Sequence, residues 1–187
     1  MNPYIELAKK AVENYLEKRE VIEVSKNLPK EMLTKKAGVF VTIEKEGKLR
    51  GCIGTYLPTK ENIAQEIIHN AIAAATEDYR FGPIQKEELP QLSYTVYILE
   101  KPELVKDTKE LDPRKYGIIV KTTPITCPNG TDVVFNGHFV PKSALLLPNL
   151  EGIDTIEKQI SIACQKGGID PQQEKILIYK FKVKKYD

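Results

Sequence analysis

The sequence predicts an α+β protein: a mainly antiparallel sheet flanked by helices, with a smaller β-rich lobe. Three observations predict it. Ala37–Glu44 alternates Val39, Val41 and Ile43 on one face, the period of a strand, and Lys45-Glu46-Gly47-Lys48 turns it into a second extended run, LRGCIGTYL. Leu92–Leu99 (LSYTVYIL) has the β-branched and aromatic content of a central strand. Helical periodicities are interspersed with these strands without strict βαβ alternation, which favours an antiparallel α+β arrangement over a parallel one.

The first element is a helix. Asn2 is a cap, Pro3 suits the first turn, and Ile5, Ala8, Val12, Tyr15 and Leu16 recur on one stripe. After the hairpin, Thr59 is a plausible cap for a helix carrying Ile63, Ile67, Ala71 and Ala74 and ending near Asp78, where Gly82-Pro83 breaks the chain. Gly117–Lys121, Asp132–Phe135 and Ser143–Leu147 read as short strands separated by Pro124, Cys127-Pro128-Asn129-Gly130 and Asn136-Gly137. Thr155–Lys166 repeats Ile156, Ile160 and Ala163 at helical spacing and stops at Gly167-Gly168. A C-terminal strand alternates Leu177, Tyr179, Phe181 and Val183 with a more polar face of Ile178, Lys180 and Lys182.

Composition narrows the function classes. The 28 basic residues are nearly matched by 26 acidic ones, so the formal net charge is +2, which argues against a protein built mainly to grip nucleic acid. The amino-terminal segment lacks the apolar core of a signal peptide, and no apolar run is long enough to span a bilayer, so a cytoplasmic protein without membrane attachment is expected. Three widely spaced cysteines and two histidines suggest neither a disulfide framework nor a metal site. No GxGxxG, GxxxxGK[ST], HExxH or GxSxG pattern is present, and nothing in the sequence calls for a cofactor.

Chemistry concentrates in Arg50-Gly51-Cys52-Ile53-Gly54-Thr55. In an unbroken strand Leu49, Ile53 and Thr55 share one face, while Arg50, Cys52 and Tyr56 share the other. Arg50 then stands beside the thiol, where a cation favours the thiolate or binds an anion next to it. Gly51 and Gly54 clear space for a close approach. The alternative is structural: free cysteine often behaves as a small buried hydrophobe, and strand glycines often mark bulges. Asp78-Tyr79-Arg80-Phe81, just past a helix end, is the second candidate. Asp78 and Arg80 either orient a ligand together with Arg50 or simply pair with each other. His69 reads as an exposed helix residue, His138 sits on a turn-rich stretch, and Cys164 reads as core.

LRGCIGT resembles the signature of the AMME-chromosomal-region protein family, whose prokaryotic members are also called AmmeMemoRadiSam system protein A. The resemblance covers nearly the whole chain, through AGVFVTIEKEGKLRGCIGTY, DYRFGPIQKEELPQLSYTVYIL and LLLPNLEGIDTIEKQISIACQKGGI in that order. The family pattern falls on Arg50 to Thr55, on Arg80, Phe81 and Pro83, and on Leu147 and Pro148. Two positions depart from it: Tyr79 stands where many relatives have proline, and Tyr116 where many have histidine. The resemblance implies two unequal lobes, a larger one of residues 1–113 and 151–187 and a smaller one of 114–150, with a cleft near the RGCIG hairpin. It also implies functional association with Memo-like and radical SAM proteins. The family names describe context, not chemistry.

Two functional expectations follow. In one, Cys52 is a nucleophile and Arg50 and Arg80 bind an anionic substrate. In the other, the hairpin region is a non-catalytic module for a small molecule or a protein partner. Arg50, Gly51, Gly54, Thr55, Asp78 and Arg80 are the candidate binding residues.

Overall fold

The computed structural model describes residues 2–123, 125–126, 132–133 and 141–187. In chain order it contains α1 (Pro3–Lys18), α2 (Lys30–Thr34), β1 (Val39–Lys45), β2 (Lys48–Thr55), α3 (Ile63–Thr76) and β3 (Leu92–Leu99). There follow β4 (Glu103–Leu104), β5 (Gly117–Thr123), β6 (Ile125–Thr126), β7 (Asp132–Val133), β8 (Ser143–Leu146), α4 (Ile156–Gly167), β9 (Lys175–Phe181) and β10 (Val183–Tyr186). The elements pack into two compact units, Met1–Glu100 with Lys184–Asp187, and Lys101–Val183. The second takes in the turn-rich stretch 114–150 together with α4 and β9.

In the first unit the sheet runs β10-β3-β1-β2, with β1 antiparallel to both β2 and β3. Alternation sends Val39, Val41 and Ile43 of β1 and Tyr94, Val96 and Ile98 of β3 to one face, where all are buried. The buried stripe of α1 (Leu7, Ala8, Ala11, Val12, Leu16) and the apolar face of α3 share that core. Asn2 caps α1 by accepting the Tyr4 N–H at 3.0 Å. At the hairpin turn Glu46 (φ 52°) and Gly47 (φ 75°) are both left-handed, the conformation that lets a two-residue loop follow the strands' twist.

The second unit has the sheet order β4-β9-β5-β8, with α4 packed on β5 and β8. Ile118, Val120, Leu146, Ala163, Cys164 and Ile169 are buried in its core. Burial pushes the Cys164 thiol pKa up, consistent with a packing role. Thr155 caps α4 by accepting the Lys158 N–H, and left-handed Gly168 (φ 60°) ends it.

Four details differ from the sequence reading. Asn62, not Thr59, caps α3, accepting the Gln65 N–H at 3.0 Å; Thr59 is held by Glu66 instead. The C-terminal strand breaks after Phe181, giving β9 to one sheet and β10 to the other. Within β9, Ile176 and Ile178 pack toward the core, so the face read as more polar is the inward one. Short α2 and two-residue β4 carry no periodic signal and were not expected. Pro124, Cys127–Gly130, the Asn136-Gly137 turn, His138 and the end of the Asp132–Phe135 strand lie outside the described residues.

Candidate functional site

The candidate site forms at the outer edge of the first unit's sheet, because among the described residues β2 has a neighbour on one side only. The β1–β2 register slips between Ile43 and Glu44: Ile43 faces Gly51 and Glu44 faces Leu49, leaving Arg50 as the extra residue of a bulge. Simple alternation therefore fails across LRGCIGT. Leu49 falls on the outward face with Glu44, away from Ile53, and is exposed. Cys52 lies opposite Thr42 on that same outward face.

Gly51 faces the core side, where α3 crosses β2. A β-carbon there would collide with the backbone carbonyl oxygen of Ala74. This contact seats the end of α3 against the edge strand and brings Asp78 to Cys52. The Asp78 carboxylate accepts the Cys52 N–H at 2.8 Å and two bonds from the Arg80 guanidinium, at 2.7 and 2.9 Å. Arg80 Nη2 also donates to the Cys52 carbonyl at 3.3 Å. Together the two side chains cover the Cys52 peptide groups much as a neighbouring strand would, blunting an open sheet edge. The Arg80 hydrogen bonds, aided by the Cys52 amide, hold the buried Asp78 carboxyl down at about 2 despite the opposing effect of burial.

Arg50 belongs to a separate cluster. It grips Glu88 bidentately at 2.9 and 3.0 Å and donates to the carbonyls of Gly82 (2.8 Å) and Pro83 (3.3 Å). Lys45 and the Gln85 N–H also bind Glu88, at 3.1 and 2.9 Å. Its carboxyl is lowered to about 2, chiefly by Arg50.

Thr55 belongs to a third cluster on the helix side. Its hydroxyl donates to Glu66 at 2.7 Å, and Glu66 also accepts the Thr59 N–H and hydroxyl and the Lys60 N–H, all within 2.9 Å. Burial opposes ionisation of Glu66, but the hydrogen bonds from Thr55, Lys60 and Thr59 outweigh it and keep the carboxyl below its usual range. Glu66→Gln turns an acceptor into a donor facing donors. It is expected to cost about 2 kcal/mol in urea denaturation.

Cys52 is half-buried, and its Sγ accepts a hydrogen bond from the Thr42 hydroxyl at 3.2 Å. By register, Phe40, Thr95 and Tyr97 share this outward face. Gly54 lies beneath the Phe40 ring, and a β-carbon there would strike both that ring and the Val39 carbonyl. Both glycines of the motif thus serve close approaches within the fold. The structure joins Cys52, Asp78 and Arg80 and places Arg50 and Thr55 elsewhere. Glu88, Glu66 and Thr42 were missed by sequence reasoning. Only Glu88 had a local signal, as the third residue of a capping box with Gln85. Among the described residues, no group of three or more His, Cys, Asp or Glu is placed to hold a metal ion, and no helix is long and apolar enough to cross a membrane.

The fold and this edge define a two-unit α+β protein built on antiparallel sheets and a clamped RGCIG hairpin. The chain belongs to the AMMECR1 family, whose profile it matches over residues 5–186. It is 45% identical over 186 residues to a protein of Thermotoga maritima, covering 99% of this chain and 97% of that one. A protein of Clostridium acetobutylicum is 42% identical over 186 residues, but there the match spans 36% of the longer chain. An uncharacterised protein from Pyrococcus horikoshii has a crystal structure that superimposes with a TM-score of 0.81 at 30% identity, covering 97% of this chain and 88% of that one.

Proposed function

We propose that this chain is a non-catalytic ligand- or partner-binding module organised around the RGCIG hairpin. The observation that carries this reading is that both candidate anion-binding arginines are committed to carboxylates, Arg50 to Glu88 and Arg80 to Asp78. An arginine already bidentate to a carboxylate offers an anionic substrate little unsatisfied charge. Such pairs build a rigid edge instead, and the half-buried face bearing Phe40, Thr42, Cys52 and Tyr97 is the surface it presents. The much longer Clostridium relative supports a modular role, since the same fold occurs there within a larger polypeptide. The setting is the cytoplasm, in functional association with Memo-like and radical SAM proteins, and the bound partner is a small molecule or one of those proteins.

The second reading makes Cys52 a nucleophile. Its support is geometric: the Arg80 guanidinium reaches the Cys52 carbonyl, and the Thr42 hydroxyl donates to Sγ. Iodoacetamide labelling, followed at Cys52 by peptide mapping near pH 7, separates the two. The module reading expects a rate within a few-fold of a model peptide thiol and a Cys52→Ser variant that folds and functions in a complementation assay. Labelling faster by tenfold or more, with a folded but inactive serine variant, would establish the nucleophile.

A further inference from the structure

The helical side of the first unit carries a groove of about 550 Å³, away from Cys52 and within the usual range for ligand sites. Its apolar residues are Tyr15 of α1, Ile68 and Ile72 of α3, and Val21, Ile22 and Val24 of the segment that follows α1. Ile68 and Ile72 are core residues, so the floor is rigid, while Val21 stands 63% exposed.

Two further features select an occupant. The segment 21–24 alternates in and out like a strand, with Ile22 and Val24 packed on the core and Val21 and Glu23 exposed, yet among the described residues it pairs with no strand. Among the described residues, its backbone N–H and C=O groups take no hydrogen bond. Unpaired backbone with alternating burial beside an apolar groove is a template for an added peptide strand. The rim also holds polar side chains without partners among the described residues: the Lys60 ammonium and the His69 imidazole toward the amino-terminal half of α3, and the carboxylates of Glu77 at its carboxyl end and Glu23 on the facing segment. At the carboxyl end of α3 the helix dipole favours a cation such as the peptide's ammonium. His69 and Glu77 are eight residues apart, about 12 Å along a helix. Four extended residues span about 13 Å.

We infer that this groove binds a free apolar oligopeptide of about four residues. The peptide pairs its backbone with residues 21–24, lays apolar side chains over Ile68 and Ile72, and directs its carboxylate toward Lys60 and His69 and its ammonium toward Glu77. This site is independent of the hairpin reading.

Titrating the ¹⁵N-labelled protein with the peptide Ala-Val-Val-Ala tests it. Amide shifts confined to residues 21–24 and the 65–72 face of α3 are expected, saturating in the micromolar to millimolar range. The same peptide acetylated and amidated at its ends is expected to bind at least tenfold more weakly, and so is the zwitterionic peptide to His69→Glu. Val21→Asp is expected to abolish the shifts. Both substituted side chains are exposed, so unchanged spectra elsewhere certify the fold. Absence of shifts at 21–24, equal binding of the capped peptide, or unaltered binding by both variants would overturn the inference.

Discussion

Gly51→Ala is expected to lower the unfolding free energy by about 3 kcal/mol or more, far beyond the cost of a typical glycine substitution. The added methyl meets a backbone carbonyl, that of Ala74, which cannot rotate away as the end of a flexible side chain can. Relief requires α3 to lift from β2, and interiors at crystal-like density resist such shifts at about 1–3 kcal/mol. The lift also draws Asp78 off the Cys52 amide. Loss of a hydrogen bond to a charged group costs roughly a further 1.5–3 kcal/mol, and the two effects share one displacement, so they do not add in full.

Gly82→Ala is the control. A β-carbon at Gly82 has nothing within 4 Å and no positive φ to strain, so its effect should stay within about 0.5 kcal/mol. Urea denaturation compares the two, and hydrogen exchange at the Cys52 amide locates the damage. That amide should exchange faster in Gly51→Ala and unchanged in Gly82→Ala. Equal stability of the two variants would show that α3 does not press on Gly51.

Gly51 also marks the limit of what the sequence could reveal. The elements α1, α3, α4, β1, β3 and β5 were legible from apolar spacing, although the cap of α3 was misplaced at Thr59. The strand glycines allowed for a bulge, but its place at Arg50 was not legible. A two-residue turn at Glu46-Gly47 with unbroken pairing would set Cys52 opposite Val41, in the core; the slipped register sets it opposite Thr42, on the outward face. One inserted residue therefore decides which face the thiol occupies, and the glycines that mark a bulge do not say where the register slips. The partners of the two arginines were hidden for a different reason. Asp78 was visible beside Arg80, but Glu88 lies 38 positions from Arg50 and reads locally as an ordinary acidic cap. Long-range pairing of charges has no period to betray it.

Acid is expected to unfasten both clusters together. Asp78 and Glu88 titrate at about 2 in the folded protein, against ordinary values of 3.8 and 4.5. A folded-state value below the unfolded one means that the unfolded chain binds protons first. The stabilisation is therefore complete above the unfolded values and is lost as pH falls through about 4.5 toward 2. Each shift corresponds to stabilisation on the order of 2–3 kcal/mol, carried by carboxylates whose side chains are well shielded from solvent. Unfolding free energy should thus fall steeply between pH 4.5 and 2. Asp78→Asn and Glu88→Gln should each be less stable than the parent at pH 7 and should each flatten that slope, because the titrating group is gone. Asp78→Asn keeps a carbonyl acceptor for the Cys52 amide, so at pH 7 it isolates the loss of the Arg80 ion pair. Amide exchange at Cys52 across the same pH range distinguishes the two clusters: release of Asp78 exposes that amide, whereas release of Glu88 frees Arg50 and leaves it covered. An unchanged acid slope in both variants would mean that neither carboxylate is held in the pairs described.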